Sequence, residues 1–222
     1  MAVVRRGLLT QGNAKLGEGP HAWSLPAVST CPGRSEGCSH CYATQHRYRF
    51  PAVVERLAWN LLQARRPDFP SRMTREIRRK GCLAVRVHAS GDFFSAAYES
   101  AWEQVFAACP RVRFWAYTRS HRVPDVWAVM REWVRFDSLR LWLSADRFMG
   151  LPHEVPTGAK VAWLQTDADE EIPPVDLVFR IKRLRGSPSR IGLRTLPVCP
   201  NELDGGKRSD EVTCGSCQRC LR

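Results

Sequence analysis

The stretch CPGRSEGCSHCYA, residues 31–43, constrains this chain more than any other. It sets Cys31, Cys38 and Cys41 at the spacing C-x6-C-x2-C. Thiols this close either pair, bind metal or do chemistry, and the redox compartment decides among these. The N-terminus MAVVRRGLLTQGNAKLGEG holds two arginines between short apolar patches, not the continuous apolar core of a secretion signal. No apolar run reaches the roughly eighteen residues of a membrane span, so no membrane partner is expected. The expected location is the cytoplasm, where thiols stay reduced and clustered cysteines serve metals.

Three thiolates can hold zinc, with His40, His46 or water as the fourth ligand. They can also hold three corners of a [4Fe-4S] cluster. The second arrangement leaves one iron open, and an open coordination position is where a metal centre performs chemistry. Near the C-terminus, Cys199, Cys214, Cys217 and Cys220 stand at C-x14-C-x2-C-x2-C. Four thiolates suit a second, closed [4Fe-4S] cluster, with zinc as the alternative. Cys82 and Cys109 stand alone in apolar runs and read as small core residues.

The rest of the chain alternates strand and helix signals. Strands are predicted at 22–26, 82–89, 112–118, 139–145, 160–166 and 176–182. Helices are predicted at 51–65, 71–80, 95–109 and 123–136, with Ser71 and Ser95 as caps. Val53, Val54, Leu57, Leu61 and Leu62 form the apolar stripe of the first helix. Strands separated by helices give right-handed crossovers and a parallel sheet. In 222 residues, about six such strands make an α/β fold of the incomplete (β/α)6 barrel type, not a closed eightfold one. Residues 1–182 form this partial barrel and 183–222 a cysteine-rich extension. The extension has few apolar residues, mainly Ile191, Leu193, Leu196 and Val198, so metal ligation is expected to order it. It is expected to fold back over the barrel mouth.

Parallel sheets place chemistry at the carboxyl ends of their strands. Those ends carry HASGDFFS (88–95), TRSH (118–121), SADR (144–147) and QTDAD (165–169). His88 is either a cofactor-facing group or a histidine satisfied by its neighbours. Arg119 and His121 are candidates for substrate contact, whereas Gln165, Asp167 and Asp169 read first as an acidic loop. Trp102, Trp115, Trp127, Trp133, Trp142 and Trp163 fall at core periodicity.

The excess of 34 Lys+Arg over 22 Asp+Glu gives a net charge of +12, which favours anionic partners, nucleic acid among them. FRIKRLRGSPSR, residues 179–190, is the best local strip for phosphate contact.

The three-cysteine loop, the β/α order and the Ser90-Gly91-Asp92 turn together resemble the radical S-adenosylmethionine (SAM) superfamily. WSLPAVSTCPGRSEGCSHCYA with HASGDFFS is similar, more narrowly, to the gene product 88 proteins of phages and actinobacteria. The resemblance spans roughly residues 15–220. It implies a radical SAM barrel and a [4Fe-4S] cluster on Cys31, Cys38 and Cys41; the second cluster, on Cys199, Cys214, Cys217 and Cys220, rests on their own count and spacing.

The resemblance also implies SAM as cofactor and an external one-electron donor as partner. The activity it implies is reductive cleavage of SAM to a carbon radical that modifies a substrate. Asp92 would receive the SAM ammonium, Ser90 and Gly91 would shape that turn, Tyr42 would pack on adenine, and Ser144 and Arg147 would contact the carboxylate or ribose. The loop differs from the usual C-x3-C-x2-C, and His40 stands where an aromatic residue is usual. Which carbon–sulfur bond breaks is therefore left open. A reading of a different class also stands: a non-enzymatic protein stapled by zinc or iron–sulfur that binds nucleic acid.

Overall fold

A computed structural model describes residues 6–13, 15–181, 184, 197–202 and 212–222. Its strands are β1 (Thr10–Gln11), β2 (His21–Ala22), β3 (Ala84–Val87), β4 (Arg113–Thr118), β5 (Leu139–Asp146), β6 (Lys160–Gln165) and β7 (Leu177–Arg180). Its helices are α1 (Pro51–Ala64), α2 (Phe69–Arg79), α3 (Ala96–Ala108), α4 (Pro124–Met130) and the one-turn α5 (Cys214–Cys217). The seven strands form one sheet in the order β1-β2-β3-β4-β5-β6-β7. Only β1 is antiparallel; β2 to β7 run parallel. Sequential order with parallel strands means that successive right-handed crossovers return to the same face.

That face is the helix side. Val85, Val87, Phe114, Ala116, Leu139, Leu141 and Leu143 bury against Met73, Ile77, Trp102, Phe106 and Trp133. Strand periodicity turns Ala84, Trp115, Trp142, Ala162 and Leu177 to the other face, where the C-terminal tail packs.

The expected elements form with shorter ends. The strand predicted at 22–26 is regular only over His21 and Ala22, but its backbone bonds run on beside β3: Trp23 N donates to the Arg86 carbonyl at 3.0 Å and Leu25 N to that of Ser90 at 2.8 Å. Ser95 caps α3, its Oγ accepting from Tyr98 N at 3.3 Å. Ser71 does not cap α2: the helix starts earlier at Phe69, with Pro70 in its first turn. The helix expected over 123–136 stops at Met130 and tightens into a 3-10 turn over Arg131–Arg135. On α1 the buried face is Leu57, Asn60 and Ala64, while Val54 and Leu62 face outward. The antiparallel edge strand β1 carries too short a pattern to be read from sequence.

Of the described tail, residues 197–202 run parallel beside β7, where Glu202 Oε2 accepts from Arg180 N at 2.7 Å, and residues 212–222 lie at the amino ends of the strands. Gln218 Oε1 accepts from Arg113 Nη1 at 3.3 Å, and Arg113 is the first residue of β4. The carbonyl of Arg222 accepts from Lys160 Nζ at 3.0 Å, at the start of β6. Residues 212–222 therefore lie at the end opposite the strand carboxyl ends, not over the mouth as expected. Trp115 and Trp142 offer them an apolar platform there, on which Leu221 buries. Ile191, Leu193 and Leu196 and most of the basic strip 179–190 lie outside the described residues. Among the described residues no helix is long and apolar enough to cross a membrane.

Candidate metal centres at the two ends of the sheet

The loop with Cys31, Cys38 and Cys41 folds as successive 3-10 turns, Glu36–His40, Tyr42–Thr44 and His46–Arg49. It sits on the carboxyl ends of β3, β4 and β5. Two glycines set how closely. A Cβ at Gly33 would stand 1.9 Å from the Arg119 carbonyl oxygen, and one at Gly37 2.3 Å from Asp146 Oδ2. Neither position has room for a side chain.

Asp146 ends β5, is fully buried and anchors the loop. Its Oδ2 accepts from Ser35 Oγ at 2.6 Å and pairs with Arg119. Its Oδ1 accepts from the amides of Phe148 and Met149 at 2.9 and 3.1 Å. Arg119 also donates to Ser35 Oγ at 2.8 Å. Burial works against ionisation of Asp146, but Ser35, Arg119 and the Phe148 amide outweigh it and hold its pKa below the usual carboxylate range. Sequence reasoning missed Asp146 and the loop glycines. SADR drew attention to Ser144 and Arg147, and only the chain crossing between β5 and the loop reveals their neighbour.

Asp92 is 5% exposed and accepts three hydrogen bonds. Its Oδ1 accepts from Thr118 Oγ1 at 2.7 Å and Phe93 N at 2.8 Å; Oδ2 accepts from Arg119 N at 2.8 Å. Burial raises its pKa, and these donors pull the other way. The carboxylate thus ties the end of β3 to that of β4. Gly91 has φ +76°, and a Cβ there would stand 2.6 Å from Leu25 Cβ and Thr30 Oγ1, so the Ser90-Gly91-Asp92 turn requires its glycine. Ser90 Oγ donates to the Leu25 carbonyl at 2.8 Å.

The remaining candidates divide. The Tyr42 hydroxyl donates to the Ala89 carbonyl while its ring stays exposed, 5.8 Å from Tyr48. Ser144 is half-buried, and its carbonyl meets His121 Nε2 at 3.1 Å. Arg147 points into solvent over Phe148, apart from the loop's anchoring network. His88 faces the helix side, not the mouth. Its Nε2 meets the Tyr98 hydroxyl at 2.9 Å, Phe93 packs on its ring, and burial lowers its pKa to about 3. Gln165 accepts from Arg180 Nε at 3.0 Å, and the acidic loop after it wraps the buried Glu170, so neither opens on the mouth.

All nine cysteines are free thiols. Cys82 and Cys109 are buried in the core, as expected. In the loop, burial, then the nearby Asp92 charge, pushes Cys31 up to about 12, with Cys41 and Cys38 adding to it. Burial likewise raises Cys41, where Cys38 adds to the shift and Arg119 opposes it. The three thiols thus act on one another. Among the described residues, no three His, Cys, Asp or Glu side chains stand in metal-ligating geometry.

The second group is assembled from distant segments. Cys214 N donates to the Lys15 carbonyl at 2.8 Å and Gly215 N to that of Leu16 at 3.0 Å. Thr213 and Ser216 close a capping box on α5. Cys199 N donates to the Val178 carbonyl at 2.9 Å, which lays Cys199 on the inner face of β7. Burial raises Cys220, and Cys214 and Cys217 add to the shift.

Between the two groups, on the inner face of β3, stands Arg86. Its Nε is buried without a hydrogen-bond partner, and no carboxylate among the described residues pairs with it. Its guanidinium lies 5.6 Å from the Tyr117 ring centre. Burial would lower its pKa; Tyr42, Cys214, Tyr117 and Tyr48 outweigh burial and raise it. Burial keeps the Tyr48 and Tyr117 phenols neutral, Tyr48 at about 12 and Tyr117 well above its usual value. Cys214, one of the four C-terminal thiols, is among the groups around Arg86.

These features define the class: an α/β protein whose singly wound, mostly parallel sheet carries a three-thiol loop at one end and four thiols at the other. The chain belongs to the Gene product 88 family, whose profile matches residues 7–222. It is 31% identical to the "Gene 88 protein" of Mycobacterium phage L5 over 225 residues, 93% of this chain and 85% of the relative. It is 31% identical to the "Gene 88 protein" of Mycobacterium phage D29 over 149 residues, 61% of this chain and 60% of the relative. No solved structure matches the chain.

Proposed function

We propose that the chain is an iron–sulfur enzyme of the radical SAM kind. Cys31, Cys38 and Cys41 hold a [4Fe-4S] cluster with one open iron, and Cys199, Cys214, Cys217 and Cys220 hold a closed one. The observation that carries this is the division of seven thiols into three at the carboxyl rim of a parallel sheet and four at its far end. Three ligands leave a position for a reactant, whereas four close the site. When bound, the first cluster would supply that open iron and the electron for cleaving SAM.

The chain's own residues position this chemistry. Gly33, Gly37, Ser35, Arg119 and Asp146 seat the loop on the strand ends. Asp92 fixes the turn beside Cys31, and the SAM ammonium is assigned to its remaining lone pair. Tyr42 presents an exposed ring for adenine, held by its hydroxyl. Ser90, Gly91, Ser144 and Arg147 complete the proposed SAM surface, with Arg147 reaching in from solvent. At the other end, thiolate ligands would give Arg86 the counter-charge that it otherwise lacks.

The test is anaerobic incubation with SAM and a strong reductant, followed by identification of the fragments. The expected products are 5′-deoxyadenosine or a 3-amino-3-carboxypropyl species, both lost in Cys31→Ala/Cys38→Ala/Cys41→Ala. Intact SAM beside fully iron-loaded, reduced protein contradicts the reading. The second reading, a metal-stapled nucleic-acid-binding protein, draws on the +12 charge. It has no need of an open three-thiol site.

A further inference from the structure

We infer that a cationic groove between the N-terminal segment and α2 binds the phosphate backbone of a nucleic acid. The groove is a cavity of about 130 Å³ lined by Arg6, Leu8, Arg72, Arg75, Glu76 and Arg79. It lies on the outer side of the helix layer, and the inference does not rest on the metal centres.

The groove is built by its one carboxylate. Glu76 Oε1 accepts from Leu9 N at 2.9 Å, its Oε2 accepts from Leu8 N, and Lys80 Nζ stands 3.2 Å away. Arg56 donates to the Gly7 and Leu8 carbonyls from the other side. Gly7 passes so close to Glu76 that a Cβ would stand 2.7 Å from Oε1. Glu76 is thus spent on backbone amides and on Lys80, and burial, those amides and Lys80 together leave its pKa below the usual carboxylate value.

None of the four arginines is ion-paired among the described residues, although the charge of Asp68 is near enough to act on Arg72. Arg72 reaches a neutral group, Gln63 Oε1. Arg72, Arg75 and Arg79 lie at i, i+3 and i+7, on one face of α2. Like charges at such spacing cost a helix a few tenths of a kcal/mol per pair, which an external anion offsets. Seven residues of helix span about 10 Å, against about 3.4 Å of rise per phosphate along a DNA strand. The row is long enough for successive phosphates, and the arginine fork matches each. The apolar residues of α2, Phe69, Met73 and Ile77, are all buried, so this helix offers a bilayer no apolar face.

The test is fluorescence anisotropy of the anaerobically prepared full chain with a labelled duplex and the same single strand, across a salt series. Arg75→Gln/Arg79→Gln is compared with a control of equal charge loss, Arg111→Gln/Arg131→Gln. The α2 pair is expected to weaken binding at least about tenfold and to reduce the slope of log K against log salt by about 0.9 per arginine for duplex, or about 0.7 for single strand. The control pair is expected to leave both nearly unchanged. Equal losses in the two pairs mean diffuse charge only and overturn the inference. So does unchanged affinity in the α2 pair, or binding of the wild type to phosphatidylserine vesicles and not to either oligonucleotide.

Discussion

Replacing Glu99 with glutamine is expected to stabilise the protein, increasingly so as pH rises. Glu99 lies on α3 with no exposed surface, and neither of its carboxylate oxygens has a partner. Burial, then the charge of Asp92, raises its pKa to about 9. In the unfolded chain the same group titrates near 4.3. A group raised in the folded state takes up a proton on folding. Its stability is intact below the unfolded value and is lost as pH climbs toward the folded one. The loss is about 1.4 kcal/mol per pH unit, or about 4 kcal/mol at pH 7. Glutamine keeps the shape and never ionises. Urea unfolding followed by tryptophan fluorescence, under reducing anaerobic conditions, reads the difference between variant and wild type. That difference is expected to be near zero around pH 4.5 and to grow steadily to pH 8. A constant difference across this range, or a variant less stable at pH 7, would refute the reasoning.

Further outcomes follow from the same geometry. Gly37→Ala drives a methyl group into Asp146 Oδ2 and is expected to unseat the loop, lowering iron retained per chain while the sheet still unfolds cooperatively; unchanged iron sinks the anchoring role of Asp146. Arg86→Met is expected to act with opposite signs, each by about 1–4 kcal/mol. It should raise the melting temperature of metal-free protein, by removing an unpaired buried charge, and lower that of metal-loaded protein; the same sign in both excludes thiolates as its counter-charge. Asp92→Asn is expected to weaken SAM binding about tenfold with iron content unchanged, and wild-type affinity in calorimetry removes the ammonium from this carboxylate.

The alternation of apolar runs made the sheet legible, because strands of a parallel sheet covered on both faces leave continuous apolar segments such as Leu141–Leu143. It did not reveal β1, whose two residues are too few for any period. The rule about carboxyl ends located the loop, Asp92 and Arg119 correctly. What it could not give was occupation. Asp92 looks like a free acid in sequence, yet Phe93 N in its own turn and Thr118 and Arg119 at the end of β4 claim it, and the last two contacts cross 26 and 27 positions of chain. Asp146 was passed over for the same reason. The place of the tail depended on Trp115 and Trp142 facing away from the helices, which strand parity allows but cannot attach to a distant segment. The cationic groove was hidden because Arg6 and α2 meet only in three dimensions.

The central claim, two iron–sulfur centres of which one is open, is tested most directly by metal analysis with electron paramagnetic resonance on anaerobically purified protein. The account predicts brown protein with on the order of eight irons per chain. After reduction it predicts two overlapping signals, of which SAM shifts one, and that one disappears in Cys31→Ala/Cys38→Ala/Cys41→Ala. Colourless protein carrying stoichiometric zinc and no iron would contradict it.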